Sequence, residues 1–126
     1  MNERINHWLD GFGLDESLAA HAAEVLGRMP DSAQADLVDD PAFRMLDYDP
    51  TPGKMTIIPV AAPRAKSAGR SVLLKRTLRH RPAAFVRWVI AHELAHAHLR
   101  NGGRWPGEDP EHAADALAAQ WGFPRP

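Results

Sequence analysis

The sequence predicts a mixed α+β fold, with helices toward both ends of the chain and a small sheet between them. Residues 15–28 have apolar side chains at helical spacing, two strand-like segments flank a turn at residues 50–53, and a long apolar helix follows Pro82. The length of 126 residues fits one domain, which typically has about 100–150 residues. We therefore expect a single domain over residues 1–126.

Residues 1–40 are expected to form a helical N-terminal part. Its main helix covers residues 15–28, and Pro30 ends it because proline does not continue a helix. The apolar stripe of this helix consists of Leu18, Ala22, Val25, Leu26 and Met29. A shorter helix, or a packing contact against the core, is expected around Trp8, and another short helix near residues 31–39.

Residues 43–78 are expected to form a small antiparallel sheet of about three strands. Residues 43–49 and 54–60 flank a Pro-Thr-Pro-Gly sequence, which is typical of the turn in a β-hairpin. Residues 61–70 are rich in small residues and are expected to form a loop. Residues 71–78 then supply the third strand.

Residues 82–122 are expected to form a pair of helices. The first begins at Pro82, since proline is tolerated in the first turn, and ends near Arg100, before an Asn-Gly-Gly sequence. This helix is apolar almost all round, which is typical of a buried helix. The second begins at Asp109, an N-cap residue that proline follows.

The composition limits the chemistry of the chain. It has no cysteine and seven histidines, which excludes disulfides, thiolate catalysis, zinc fingers and iron–sulfur clusters. Histidine, aspartate and glutamate remain as metal ligands. No apolar stretch approaches the ~20 residues of a membrane-spanning helix, and the N-terminus lacks the pattern of a signal peptide. We therefore expect a cytoplasmic protein without membrane contact.

Charge is divided unevenly along the chain, although the formal net charge is only −1. Residues 1–53 carry eleven acids and three bases, whereas residues 54–104 carry eleven bases and a single acid, Glu93. One interpretation is that the acidic and basic segments face each other in the fold. The other is a basic surface over residues 64–81 for nucleic acid or an acidic partner, which no nucleic-acid-binding motif accompanies.

The long apolar helix contains an H-E-x-x-H motif, His92-Glu93-Leu94-Ala95-His96. Histidines at i and i+4 share one helix face, so both can direct a ring nitrogen at one metal ion. With seven histidines and six glutamates in the chain, about 0.02 such motifs are expected by chance. Ionisable side chains in an apolar helix are costly unless they are paired or bind a metal. The motif therefore predicts a metal site with His92 and His96 as ligands and Glu93 as general base.

A catalytic zinc usually takes three protein ligands, so a third ligand is expected. Glu111 is the best candidate, in the first turn of the last helix. Asp115 lies one turn further on the same face and is expected to accept a hydrogen bond from the outer ring nitrogen of His92. Without the motif, Glu111 would be interpreted as an acid that stabilises a helix N-terminus, and Asp115 as a solvated residue.

Several other residues are candidates for the substrate pocket. His80, Tyr48 and Arg104 could stabilise the oxyanion of a reacting carbonyl, and the sequence does not select among them. His112 could also line the pocket. His98 lies two residues past the motif, on a different helix face, and is not expected to be a ligand.

The motif and the later pattern Glu111-x-x-x-Asp115 resemble a gluzincin, a zinc metallopeptidase with two histidines and one glutamate as ligands. The segment around them also resembles the E-x-x-A-N-x-F-A-A segment of the ImmA/IrrE family of small zinc peptidases. That family usually has asparagine at the position of Asp115. The aspartate of this chain is instead similar to the thermolysin-like pattern E-x-x-x-D. Residues 78–96 look like SprT-type zincins, but those use a third histidine for which this chain has no well-placed equivalent. The similarity covers roughly residues 43–122.

The resemblance implies a zincin-like fold and a peptidase with a protein or peptide substrate, typically one regulatory protein. One catalytic Zn²⁺, held by His92, His96 and Glu111, would lower the pKa of its water toward ~7 and polarise the scissile carbonyl. Glu93 would act as the general base. The strand at residues 71–78 would be the edge to which the substrate adds.

Two alternatives remain open. One is a non-catalytic interaction or regulatory module with a structural zinc. The other is a nucleic-acid-associated protein that uses the basic residues 64–81. The carboxylate of Glu93 favours the peptidase, because a structural zinc site does not need it.

Overall fold

The computed structural model describes residues 3–49, 70–99 and 110–126. Within them the elements are α1 (Glu3–Asp10), α2 (Glu16–Arg28), α3 (Asp31–Val38), β1 (Arg44–Tyr48), β2 (Ser71–Lys75), a 3₁₀ helix (Arg76–His80), α4 (Ala83–Leu99) and α5 (Pro110–Gln120). The fold is therefore mixed α+β, as expected. The predicted hairpin turn, the strand expected at residues 54–60, most of the expected loop and Arg104 lie outside the described residues.

The three N-terminal helices form where the sequence predicted them. Asp15 caps α2, since its carboxylate accepts hydrogen bonds from the backbone N–H groups of Ser17 and Leu18. The five residues of the apolar stripe of α2 are all buried. α1 adds Ile5 and Leu9 to the same core. Helical spacing therefore identified the face of α2 that packs inward.

α4 is the central helix of the fold and packs against α2, α5 and β2. Its buried apolar residues are Val86, Ile90, Ala91, Leu94, Ala95 and Ala97. Together with the buried His92 and His96, these residues cover most of the helix circumference, in agreement with the expectation of a buried helix. The histidines of the motif consequently lie inside the fold and not on a solvent-exposed face.

β1 and β2 pair in parallel, with Arg44 opposite Ser71 and Tyr48 opposite Lys75. The sequence led us to expect an antiparallel sheet of about three strands, whereas the sheet in the described residues is parallel and has two strands. The chain between Tyr48 and Ser71 exceeds the ~12 residues that a crossover between parallel strands needs. Turn signals are local, so they did not indicate which later strand would lie beside β1.

The strand expected over residues 71–78 is shorter than predicted and continues as the 3₁₀ helix. Val72 and Leu74 of β2 face the core, so a longer strand would turn Arg76 inward as well. Because the chain leaves the sheet at this point, the guanidinium of Arg76 stays accessible to solvent. Its Nη2 lies 3.0 Å from Oδ1 of Asp47. Burial of an unpaired charge is avoided in this way.

α5 lies close to α4 because small residues line its inner face. Ala114 and Ala118 are fully buried at this contact. Gly122 ends the helix with a φ of +98°, a conformation that favours glycine, and buried Trp121 and Phe123 flank it. The position of α5 brings its carboxylates to the histidines of α4.

Candidate metal centre

Two histidines lie one turn apart on α4, where this helix faces α5. Nε2 of His92 and Nε2 of His96 are 3.1 Å apart, and the ring planes cross at 85°. Both residues are buried. Because buried imidazole nitrogens need polar partners, the chemistry of this pair depends on what α5 places opposite it.

Glu111 supplies the carboxylate opposite the two imidazoles. Its Oε2 lies 2.6 Å from Nε2 of His92, and its Oε1 lies 3.1 Å from Nε2 of His96. The three side chains each offer one ligand atom, and these atoms all lie within 4.8 Å of one another. The residues predicted as ligands are therefore brought together, and the group could hold a metal ion.

Asp115 contacts the outer edge of the first histidine. Its Oδ1 lies 2.7 Å from Nδ1 of His92, which is the contact expected from the sequence. Since a carboxylate only accepts, Nδ1 of His92 is the protonated nitrogen. In the neutral imidazole, the lone pair is then on Nε2 and points toward Glu111.

The arrangement of acceptor atoms in the group formed by His92, His96 and Glu111 favours the binding of a cation. Nε2 of neutral His92 is an acceptor, yet it lies at hydrogen-bonding distance from a carboxylate, which is also an acceptor. Two such atoms repel unless a proton or a metal ion lies between them. Tetrahedral zinc with bonds of ~2.0–2.1 Å would separate its ligand atoms by about 3.3 Å, close to the separations present here. The donor set therefore fits a divalent ion after small side-chain rotations.

Glu111 is much more exposed than the histidines, with 67% of its side chain accessible. Partial burial acts to raise the pKa of its carboxyl, but the close contacts of the carboxylate with His92 and His96 outweigh this effect and lower the pKa. The carboxylate is consequently ionised at neutral pH, which is the form that binds metals. Its exposure also gives solvent access to the group from the side of α5.

Glu93 is partly buried beside these three residues. Burial raises the pKa of its carboxyl, the charges of His92 and His96 partly oppose this rise, and the charge of Glu111 adds to it. A carboxyl whose pKa is raised exchanges protons closer to neutral pH than an ordinary glutamate. Its environment is suitable for a general base.

The other predicted pocket residues in the described part of the chain form no hydrogen bond with this group. Tyr48 is the last residue of β1, His80 ends the 3₁₀ helix, and His112 is exposed on α5. Among the described residues, none of these three hydrogen-bonds to a member of the metal-binding group. His98, which was not expected to be a ligand, has its Nδ1 2.8 Å from a carboxylate oxygen of Asp36.

Sequence reasoning missed Trp88. Its indole Nε1 donates a hydrogen bond to Oδ1 of Asp115 at 3.2 Å, and its ring centroid lies 5.6 Å from that of His92. The sequence does contain a signal, since Trp88 precedes His92 by four residues and lies on the same helix face. An aromatic residue on an apolar helix usually has only a packing role, so this signal alone does not single out Trp88.

Comparisons with protein-family models, with curated proteins and with solved structures found no match for this chain. None of the helices in the described ranges has the length and apolar character needed to cross a bilayer. The expected cytoplasmic location stays a prediction.

Proposed function

We propose that the chain is a zinc-dependent metallopeptidase. The observation that supports this proposal is the convergence of His92, His96 and Glu111 on one point, with Asp115 on the outer nitrogen of His92. Two imidazoles and one carboxylate, with a further position open to water, form the ligand set of many zinc hydrolases. Glu93 adds the base that hydrolysis requires.

Zinc bound by this group would supply Lewis acidity and make a water molecule acidic enough to attack a peptide carbonyl near neutral pH. Glu93 accepts the proton of the attacking water and passes it to the leaving amine. The raised pKa of Glu93 suits both steps, because the group must gain and lose a proton in each cycle. Asp115 keeps the lone pair of His92 on the nitrogen that faces the metal position.

The resemblance to the ImmA/IrrE gluzincins belongs to this proposal. The order of elements supports it, since helices, a small sheet, the helix with the motif and the helix with Glu111 follow one another. The parallel pairing of β1 and β2 differs from the antiparallel sheet that we expected with it. Because the order of elements agrees with the resemblance and the strand pairing does not, the zincin-like fold is a proposal.

The proposed substrate is a protein or peptide that is cleaved at few positions. In this proposal, an extended substrate segment adds beside β2, which packs against α4. Leu73 of β2 is 41% exposed and offers an apolar contact for the side chains of such a segment. The restriction to one regulatory protein follows from the family resemblance and is an analogy.

The first experiment combines metal analysis with Glu93→Gln. We expect one zinc per chain in both the wild type and the variant, because Glu93 is not a ligand. Cleavage of a quenched fluorescent peptide library is expected to fall by at least ~100-fold in the variant, since general-base catalysis typically contributes 10²–10⁴-fold. Proteins that co-purify with the inactive variant are then tested as substrates of the wild type.

Glu16→Gln is the matched control, because it makes the same chemical change at an exposed position in the first turn of α2. This variant is expected to retain both zinc and cleavage. A wild type that binds no zinc would overturn the metal site. Stoichiometric zinc without cleavage of the library or of any co-purified protein would instead favour the non-catalytic zinc module.

A further inference from the structure

We propose that Trp88 is a positioning residue of the metal centre, whose indole N–H fixes Asp115 and through it the orientation and tautomer of His92. The inference rests on the proposed metal site. It assigns a role to a side chain outside the H-E-x-x-H motif and outside the ligand set.

One carboxylate oxygen of Asp115 accepts hydrogen bonds from two donors. Oδ1 lies 3.2 Å from the indole nitrogen of Trp88 and 2.7 Å from Nδ1 of His92. An indole N–H can only donate, so the interaction with Trp88 holds Oδ1 in place as an acceptor. His92 must then donate from Nδ1, and its Nε2 keeps the lone pair that a metal requires.

Asp115 needs a second contact, besides the one with His92, to hold its carboxylate at Nδ1 of His92. Its side chain is 31% exposed, so water competes with His92 for the carboxylate. Hydrogen bonds to an ionised acceptor are stronger than neutral ones, and two donors on one oxygen favour a single rotamer. Trp88 therefore reduces the freedom of the carboxylate before any metal binds.

Trp88 is itself held by neighbours from two parts of the chain. Its ring centroid lies 5.6 Å from that of Phe85, one turn away on α4. The guanidinium of Arg125, beyond the end of α5, lies 5.2 Å from the Trp88 ring centroid. The direction of the indole N–H is consequently set by packing, as a positioning residue requires.

A simpler role for Trp88 is packing alone, which is the usual role of an aromatic residue on an apolar helix. Packing needs the ring but not the N–H group. Trp88→Phe keeps an aromatic ring at this position and removes the donor, so it separates the two roles. Trp8→Phe is the matched control, since Trp8 lies on α1 and stacks on Phe43.

The first measurement is zinc affinity, determined by competition with a chromogenic chelator. We expect Trp88→Phe to bind zinc roughly 10-fold more weakly, because loss of the outer partners of a ligand typically costs 10–100-fold. Trp8→Phe should bind zinc as the wild type does. In an Asp115→Ala background, Trp88→Phe should cause no further loss, whereas an equal loss in both backgrounds would overturn positioning through Asp115.

The second measurement uses the metal-free protein, so it does not depend on the proposed function. Long-range ¹H–¹⁵N NMR spectra should show His92 protonated at Nδ1 in the wild type and as a mixture of tautomers in Trp88→Phe. An unchanged tautomer in Trp88→Phe overturns the inference even if zinc binds. A wild type that binds no zinc, with a tautomer that still depends on Trp88, would overturn the metal site and the proposed function and leave only the positioning of His92 by Trp88 through Asp115.

Discussion

His92 has a carboxylate oxygen close to each ring nitrogen, with Asp115 at Nδ1 and Glu111 at Nε2. With the proton on Nδ1, the lone pair of Nε2 faces the carboxylate of Glu111, and a metal ion could bridge these two acceptors. Because protons and zinc compete for the same lone pair on Nε2, zinc binding should weaken as the pH falls.

His21 gives a pH prediction outside the metal centre. Burial lowers the pKa of His21, and the positive charge of Arg87, whose Nε donates to Nδ1 of His21 at 3.2 Å, lowers it further. The folded state thus binds fewer protons than the unfolded state at this site, so stability is lost as the pH falls below ~6.5. Protonation removes the hydrogen bond between α2 and α4, which is typically worth about 1 kcal/mol.

The test compares urea unfolding of the wild type and His21→Gln at pH 7.5 and pH 5, with a chelator present. The glutamine side chain can still accept from Arg87 and does not titrate, so this variant should lose less stability on acidification. His7→Gln is the control at an exposed histidine and should follow the wild type. An equal loss in His21→Gln and the wild type would contradict the prediction.

For individual residues, the sequence predicted contacts best where helical spacing alone determines which side chains share a helix face. His92 and His96 share a face because of the helix repeat, and Glu111 and Asp115 do so for the same reason. Trp88 obeys this repeat too, but its N–H matters only through Asp115, on another helix. The approach of α4 and α5 is a tertiary property, which the spacing of residues does not show.

At the scale of elements, the helices were predictable and the sheet was not. The apolar stripe of α2 and its N-cap Asp15 belong to one continuous segment of the chain, so the local sequence contains the signals for both. The pairing of β1 with β2 joins residues separated by more than twenty positions, and its direction depends on the path of the chain between them. The strand ends where a longer strand would turn Arg76 into the core, and the guanidinium of Arg76 pairs instead with Asp47 of β1.

Arg70 joins three elements at the start of β2. Its guanidinium, on a side chain only 8% exposed, lies 2.7 Å from a carboxylate oxygen of Asp36 and 2.9 Å from one of Asp40. It also donates to the carbonyl oxygen of Ala97, near the end of α4. Arg70 therefore connects α3 and the residues after it to the helix that carries His92 and His96.

Arg70→Met is expected to destabilise the fold by about 2–4 kcal/mol, because one-sided loss of a buried ion pair costs ~3–5 kcal/mol and partial exposure of the two carboxylates reduces this cost. Chemical denaturation at pH 7 measures the change. Arg4→Met is the matched control, since Arg4 and Asp39 form an ion pair whose side chains are 60% and 57% exposed. The control should lose less than about 1 kcal/mol, and similar losses in both variants would contradict the role of Arg70.

On the scale of the whole molecule, ion pairs join the acidic N-terminal segment to the basic segment that follows it. The pairs are Arg70 with Asp36 and Asp40, Arg76 with Asp47, and Arg79 with Asp15. The expectation that the two segments face each other is confirmed for these residues. Each pair neutralises a charge that could otherwise contact a phosphate. Nucleic-acid binding stays a prediction, and it would depend on basic residues outside these pairs.

Metal binding should stabilise the whole molecule, because the ligands join α4 to α5 and are close together only in the folded state. Zinc at 100 times its Kd would add about 2.7 kcal/mol, which raises the Tm of a chain of this length by about 10 °C. A chelator should reverse the shift, as measured by circular dichroism. Glu111→Ala should lose most of the shift, whereas His112→Ala, which alters an exposed neighbour of the same helix, should keep it. An equal zinc-induced shift in Glu111→Ala and the wild type would show that the ion binds elsewhere on the chain.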